Sequence, residues 1–138
     1  MEQQRSIFVF GSNRLGVHGK GAALYAYQHY GAIRGQGEGL QGNSYAIPTK
    51  SGPYESLSLT DIKEHVDEFV AFAKVHPELQ FHVTPIGTGY AGHKVQGIAP
   101  LFKQALNITN IQLPFAFLDY LNMEESDCRP QAAKVVDQ

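Results

Sequence analysis

The chain has 138 residues, 43% hydrophobic and 17% charged, with a formal charge of −2 and a single cysteine, Cys128. These values describe one compact domain and exclude wholesale disorder, an internal disulfide framework and a cysteine-built metal knuckle. They also argue against a general nucleic-acid binder, which needs a basic face. No apolar run approaches membrane-spanning length, and Met1–Ser6 carries no signal-peptide pattern, so the expected location is the cytoplasm with no membrane partner. Residues 1–50 hold five Lys/Arg against two Asp/Glu, whereas residues 51–138 hold six against eleven. Nine of the fourteen glycines also fall between Gly11 and Gly42. An anionic small ligand prefers the positive half, and clustered glycines mark turns or a backbone pressed close to a ligand.

In chain order, Ile7–Phe10 form an apolar run into Gly11 and read as a strand covered on both faces. The chain then turns through Ser12–Gly19, and a helix starts near Gly21 and stops at Gly31. Residues 31–43 read as loop. Ser44–Pro48 form a short strand that Pro48 ends. Ile62, Val66, Phe69, Val70 and Ala73 repeat at helical spacing, with Ser58, Thr60 or Asp61 as cap and Pro77 as stop. Leu79–Gly87 is the next strand, with Phe81, Val83 and Pro85 on one face. A second glycine-rich loop follows, then a short helix at 98–106, an edge segment at 110–114 and a small helix from Pro114 through Leu121.

Strands and helices alternate, which predicts a three-layer α/β/α single domain over residues 1–123, with a polar tail at 124–138. Ligands in such sheets collect at the carboxyl ends of strands. Both glycine loops fall there, Gly11–Gly21 after the first strand and Gly87–Gly92 after the third.

In the second loop, Gly87, Gly89 and Gly92 free backbone N–H groups to converge on a phosphate, and Thr88 adds a hydroxyl. The alternative is a tight strand-to-helix turn. The loop fits G-x-G-x-x-G, but no acidic residue stands about twenty positions on, so a Rossmann dinucleotide site is not assigned. In the first loop, Asn13 either positions a ribose hydroxyl or caps the turn through an Asx bond. His18 is an acid–base candidate or a solvated loop residue. Lys20 pairs with phosphate or solubilises the loop. Glu38, the sole acid between Arg5 and Glu55, is the first candidate for a general base or else a charged loop tip. Tyr90 stacks on a base or ribose, or fills the core. Lys50 reads as solvent-facing. The remaining histidines share no spacing, so no metal site is assigned and no cofactor is implied.

The set "FGSN", "GVHGKGAA", "YAIPTK" and "IGTGYAG" resembles the macro-domain family of ADP-ribose-binding proteins over roughly residues 7–106. It is closest to the branch that removes ADP-ribose from acidic side chains. The resemblance implies a macro-like fold with a mixed sheet. Asn13 would face the distal ribose, with Gly11, Ser12, Gly19 and Gly21 beside it. The loop Ile86, Gly87, Thr88, Gly89, Tyr90, Ala91 and Gly92 would wrap the diphosphate. Three features depart from the family pattern: the strands expected before the one at Ile7–Phe10 are not seen, no acidic residue stands where adenine would be held, and Ala91 replaces the loop aspartate of the lysine–aspartate pair. The implied function is binding of ADP-ribose or a related NAD-derived nucleotide, alone or on a modified macromolecule, with hydrolysis of an ADP-ribosyl linkage through Asn13, Glu38, His18 and Lys20. The alternatives are a non-catalytic nucleotide-binding module and another nucleoside-phosphate hydrolase, suggested by "VFGSN". Oligomeric state is not fixed by the sequence.

Overall fold

The computed structural model describes residues 4–89 and 91–127, with side chains through Met123. Tyr90 and the segment 128–138, including Cys128, lie outside the described residues.

The chain forms an α/β domain around a five-stranded mixed sheet. The strands are β1 (Arg5–Asn13), β2 (Gly39–Gln41), β3 (Ser44–Lys50), β4 (Leu79–Val83) and β5 (Ile111–Gln112). The helices are α1 (Gly21–His29), α2 (Leu59–Lys74), α3 (Val95–Ile98) and α4 (Phe115–Asp127), and a 3-10 run at Ala99–Asn107 continues α3. The sheet order is β2-β3-β1-β4-β5. β1 lies parallel to both β3 and β4, β4 is parallel to β5, and β2 is the antiparallel member against β3.

Alternation along the strands divides the core between the two faces of the sheet. Ile7 and Val9 of β1, Tyr45 and Ile47 of β3, and Phe81 and Val83 of β4 join the larger cluster. Ile62, Val66, Phe69, Val70 and Ala73 of α2 pack there, with Phe102 of the 3-10 run and Phe117 of α4. All five α2 residues are those of the helical repeat in the sequence. Ser58 caps that helix by accepting from the Asp61 N–H at 3.1 Å. Phe10 and Ala46 point to the other face and pack on Ala23 and Ala26 of α1. Alanines allow this short helix to lie close on the strands.

Several expected boundaries differ. β3 continues through Pro48 to Lys50. β2 pairs only with Ser44–Ala46, so Pro48 lies past the end of that ladder, where a missing N–H is tolerated. The segment read as loop contains β2, whose three residues are too few to show a pattern. β4 ends at Val83, and Pro85 is exposed. α4 extends to Asp127, past the expected end at Leu121 and into the expected tail. No helix among the described residues is long and apolar enough to cross a membrane.

Candidate functional site

β1 is the central strand. The chain leaves it to β3 on one side, and β4 lies on the other. The carboxyl end of β1 is therefore a switch point, where the connections on either side diverge and open a crevice. A cavity of about 370 Å³ occupies that place, within the size range of small-molecule sites. Its wall comes from Gly11, Ser12 and Asn13 at the end of β1, Thr49 and Lys50 at the end of β3, and Thr84–Gly87 after β4. Gly19 and Lys20 of the first loop, the start of α1, and Gly89 and Ala91 of the second loop complete it, with Val17 and Pro53. Both glycine loops therefore reach the same site.

Gly11 stands where the two loops meet. A Cβ there would lie 3.3 Å from Ile86 Cβ and 3.5 Å from the Gly87 nitrogen. Gly87 adopts φ 77° and faces Ile98, so it makes the turn that other residues make only under strain. Gly19 and Gly21 also line the cavity, whereas Gly16, Gly31, Gly35, Gly37, Gly39 and Gly42 do not. Gly16 and Gly37 press the loop 13–16 against the segment 35–37, and Gly42 packs on Gly31. Part of the glycine cluster thus serves backbone packing rather than a ligand.

The cavity wall is largely apolar, with a small number of hydrogen-bond donors among its residues. α1 begins without a side-chain cap, since Lys20 holds the N-cap position and makes no cap bond. The first intrahelical bond runs from the Leu24 N–H to the Lys20 carbonyl at 3.1 Å. The N–H groups of Gly21, Ala22 and Ala23 precede it, and these three residues line the cavity. The positive end of the helix dipole adds to the field of Lys20 and Lys50. Lys50 Nζ donates to the Pro53 carbonyl at 2.7 Å. No carboxylate or imidazole is among the described lining residues. The hydroxyls of Thr49 and Thr84 donate to the carbonyls of Ser12 and Val9, at 3.3 and 2.8 Å, and the Ser12 hydroxyl donates to the Gly37 carbonyl.

The expected site residues divide into two groups. Gly11, Ser12, Asn13, Gly19, Lys20, Gly21, Ile86, Gly87, Gly89 and Ala91 line the cavity, whereas Thr88, Gly92, His18 and Glu38 do not. Thr88 Oγ1 donates to the Pro85 carbonyl at 2.7 Å. Asn13 forms the Asx-type turn: Oδ1 accepts from the Val17 N–H at 3.1 Å and Nδ2 donates to the Val17 carbonyl at 3.0 Å. Its side chain thus shapes the loop from the cavity wall. Glu38 is exposed, and its carboxylate lies 2.7 Å from His65 Nδ1 on α2. His18 is fully buried, edge-on to Phe10. Glu38 thus fits the charged loop-tip alternative, and His18 is neither a solvated loop residue nor a lining residue of the cavity.

The residues that sequence reasoning missed are Val17, Ala22, Ala23, Thr49, Lys50, Pro53, Thr84 and Pro85. The signal for Thr49 and Lys50 was available. They end a strand beside β1, and parallel neighbours bring their carboxyl ends to one edge. The second loop is anchored from the segment after β3: Ser56 Oγ donates to the Ala91 carbonyl, and His93 Nε2 donates to the Leu57 carbonyl at 2.8 Å. Among the described residues no group of three or more His, Cys, Asp or Glu side chains is placed to hold a metal.

Together, fold and cavity define an α/β domain with a largely apolar crevice, bordered by Lys20, Lys50 and the start of α1, at a parallel-strand switch point. Comparisons with protein-family models, curated proteins and solved structures find no match.

Proposed function

We propose that the protein is a three-layer, macro-like receptor for ADP-ribose or a related NAD-derived nucleotide, free or attached to a macromolecule. One observation carries the reading: a single switch-point cavity lined by both glycine loops, the open N-terminus of α1 and two lysines, with no carboxylate among its described lining residues. Phosphate oxygens accept from backbone N–H groups of the second loop and of α1, while Lys20 and Lys50 supply the countercharge. The ribose lies toward Asn13, whose turn fixes the first loop around it. The macro resemblance supplies the identity of the nucleotide; the two lysines and the uncapped start of α1 at the cavity support an anionic ligand.

Binding is the primary reading and hydrolysis the second. Hydrolysis of an ADP-ribosyl linkage needs water activated or positioned at the anomeric carbon. Glu38 is held by His65 and His18 is buried, so Lys20 and substrate positioning are what remain for that chemistry. Calorimetry with ADP-ribose, AMP, ribose 5-phosphate and pyrophosphate tests the binding reading. One-to-one binding of ADP-ribose with Kd on the order of micromolar is expected, equivalent to about 8 kcal/mol. No heat with any of the four ligands refutes it. Incubation with ADP-ribosylated protein distinguishes the receptor, which releases nothing, from the hydrolase.

A further inference from the structure

The buried imidazole of His18 is unused by the binding reading, and its surroundings are specific. Its Nε2 lies 3.2 Å from Gln41 Oε1, and the two side chains are buried together. The orientation of the Gln41 amide is set by its other partners. Oε1 also accepts from the Ile33 N–H at 2.7 Å, while Nε2 donates to the carbonyls of Gln36 at 3.1 Å and Gly39 at 3.3 Å. Oε1 therefore faces His18, so the proton sits on the histidine Nε2. That tautomer leaves Nδ1 as a bare acceptor. Nδ1 is buried and has no hydrogen-bond partner among the described residues.

From this geometry we infer that His18 and Gln41 form a proton-sensitive clasp that fixes the first glycine loop, and with it one wall of the cavity. In the neutral form the clasp ties the loop 14–20 to β2 and to the segment 33–37. The Gly35 N–H donation to the Gly16 carbonyl at 3.0 Å runs beside it. A second proton would place an N–H on Nδ1 where no acceptor stands, and would put a charge against the ring of Phe10 in the core. The charged groups on the packed segments are directed elsewhere. Glu38 meets His65 Nδ1, Arg14 lies 3.4 Å from His65 Nε2, and Arg34 lies over the Tyr27 ring. Lys20 is at the cavity and carries the same sign as protonated His18. Protonation is thus relieved by withdrawing His18 to solvent. Val17, Gly19 and Lys20 move with it, because they flank it in sequence and line the cavity. His18 is a positioning residue in this scheme.

The test uses the free 138-residue chain, so it does not depend on which ligand binds. Amide hydrogen exchange is followed at Gly16, Val17, Ile33 and Gly35, whose N–H groups are bonded in the clasp region. Rates at about pH 7.5 and about pH 5 are corrected for intrinsic exchange. Protection at these amides should fall by about tenfold or more on acidification, with β1 and α2 unchanged. His18→Phe keeps an aromatic ring beside Phe10 but cannot titrate, and should remove the pH dependence. Equal protection at both pH values, or a pH effect that survives in His18→Phe, overturns the proposal. Ring nitrogen chemical shifts of wild-type His18 provide a check that needs no variant. A neutral Nε2–H tautomer is expected at the higher pH, and an Nδ1–H tautomer overturns the clasp.

Discussion

Gly87 and Gly89 stand in the same loop and line the same cavity, yet substitution should separate them. At Gly87 the backbone has φ 77°, and a Cβ would lie 2.8 Å from Ile98 Cδ1 and 3.2 Å from Ile98 Cγ1. Ile98 is buried in the main core and has little room to give. A valine there adopts a left-handed conformation at about 1–2 kcal/mol and overpacks the core by about 1–3 kcal/mol. Gly87→Val should therefore lose about 2–5 kcal/mol of folding free energy, a large share of a typical domain's stability. At Gly89 the φ is not left-handed, and a Cβ would meet nothing within 4 Å. Gly89→Val should change stability by only about 0.5 kcal/mol. Its isopropyl group enters space at the cavity and keeps a phosphate from the loop N–H groups. Losing one or two charge-assisted hydrogen bonds should weaken ADP-ribose binding by about a hundredfold, close to 2.7 kcal/mol. Urea unfolding and calorimetry on the two variants read both effects. A folded Gly89→Val protein with unchanged affinity would refute the loop's role, and a strongly destabilised one would refute the open geometry.

Glu38→Gln should leave ADP-ribose affinity and any turnover unchanged, because the carboxylate faces His65 outside the cavity; a turnover loss of about a hundredfold would restore it as general base. Asn110 Nδ2 lies within hydrogen-bond distance of the carbonyls of Ala73, His76 and Leu79, tying the end of α2 to the start of β4. Asn110→Ala should destabilise the fold by about 2–4 kcal/mol in urea melts, and a loss below about 1 kcal/mol would contradict that role. Burial, followed by the negative charges of Glu38 and Glu68, pushes the Tyr45 hydroxyl well above the ordinary tyrosine value. Its folded-state contribution is intact below about pH 10 and is lost above it, as the unfolded chain ionises first. Tyr45→Phe keeps the ring against Phe69 and Phe81 and should flatten the alkaline fall in stability; an unchanged slope would assign that fall to other groups.

What the sequence made legible follows from where the information sits. The α2 face from Ile62 to Ala73 repeats locally, so its helix and core side could be read directly. The two glycine loops could be placed together because alternating strands and helices bring strand ends to one edge. Glu38 and His18 were legible as titratable residues in glycine-rich surroundings, but their environments depend on distant partners. His65 lies 27 positions from Glu38, and Gln41 lies 23 positions from His18. The glycines posed a related problem. Gly16 and Gly37 serve chain-on-chain packing, while Gly11 and Gly89 border the cavity, and nothing in the immediate sequence distinguishes the two uses. Lys50 reads as solvent-facing from the sequence, because nothing local shows which neighbour its strand end meets. Once β3 is seen to run through Pro48, Lys50 arrives beside Asn13 at the end of β1.

The most direct test of the binding account is an amide chemical-shift titration of the intact protein with ADP-ribose. The account predicts saturable one-to-one shifts concentrated at Gly11–Asn13, Gly19–Ala23 and Gly87–Ala91, with little change along α2. An absence of saturable shifts up to millimolar ligand, on the order of 4 kcal/mol of binding free energy, would contradict it. So would shifts centred away from the cavity at the end of β1.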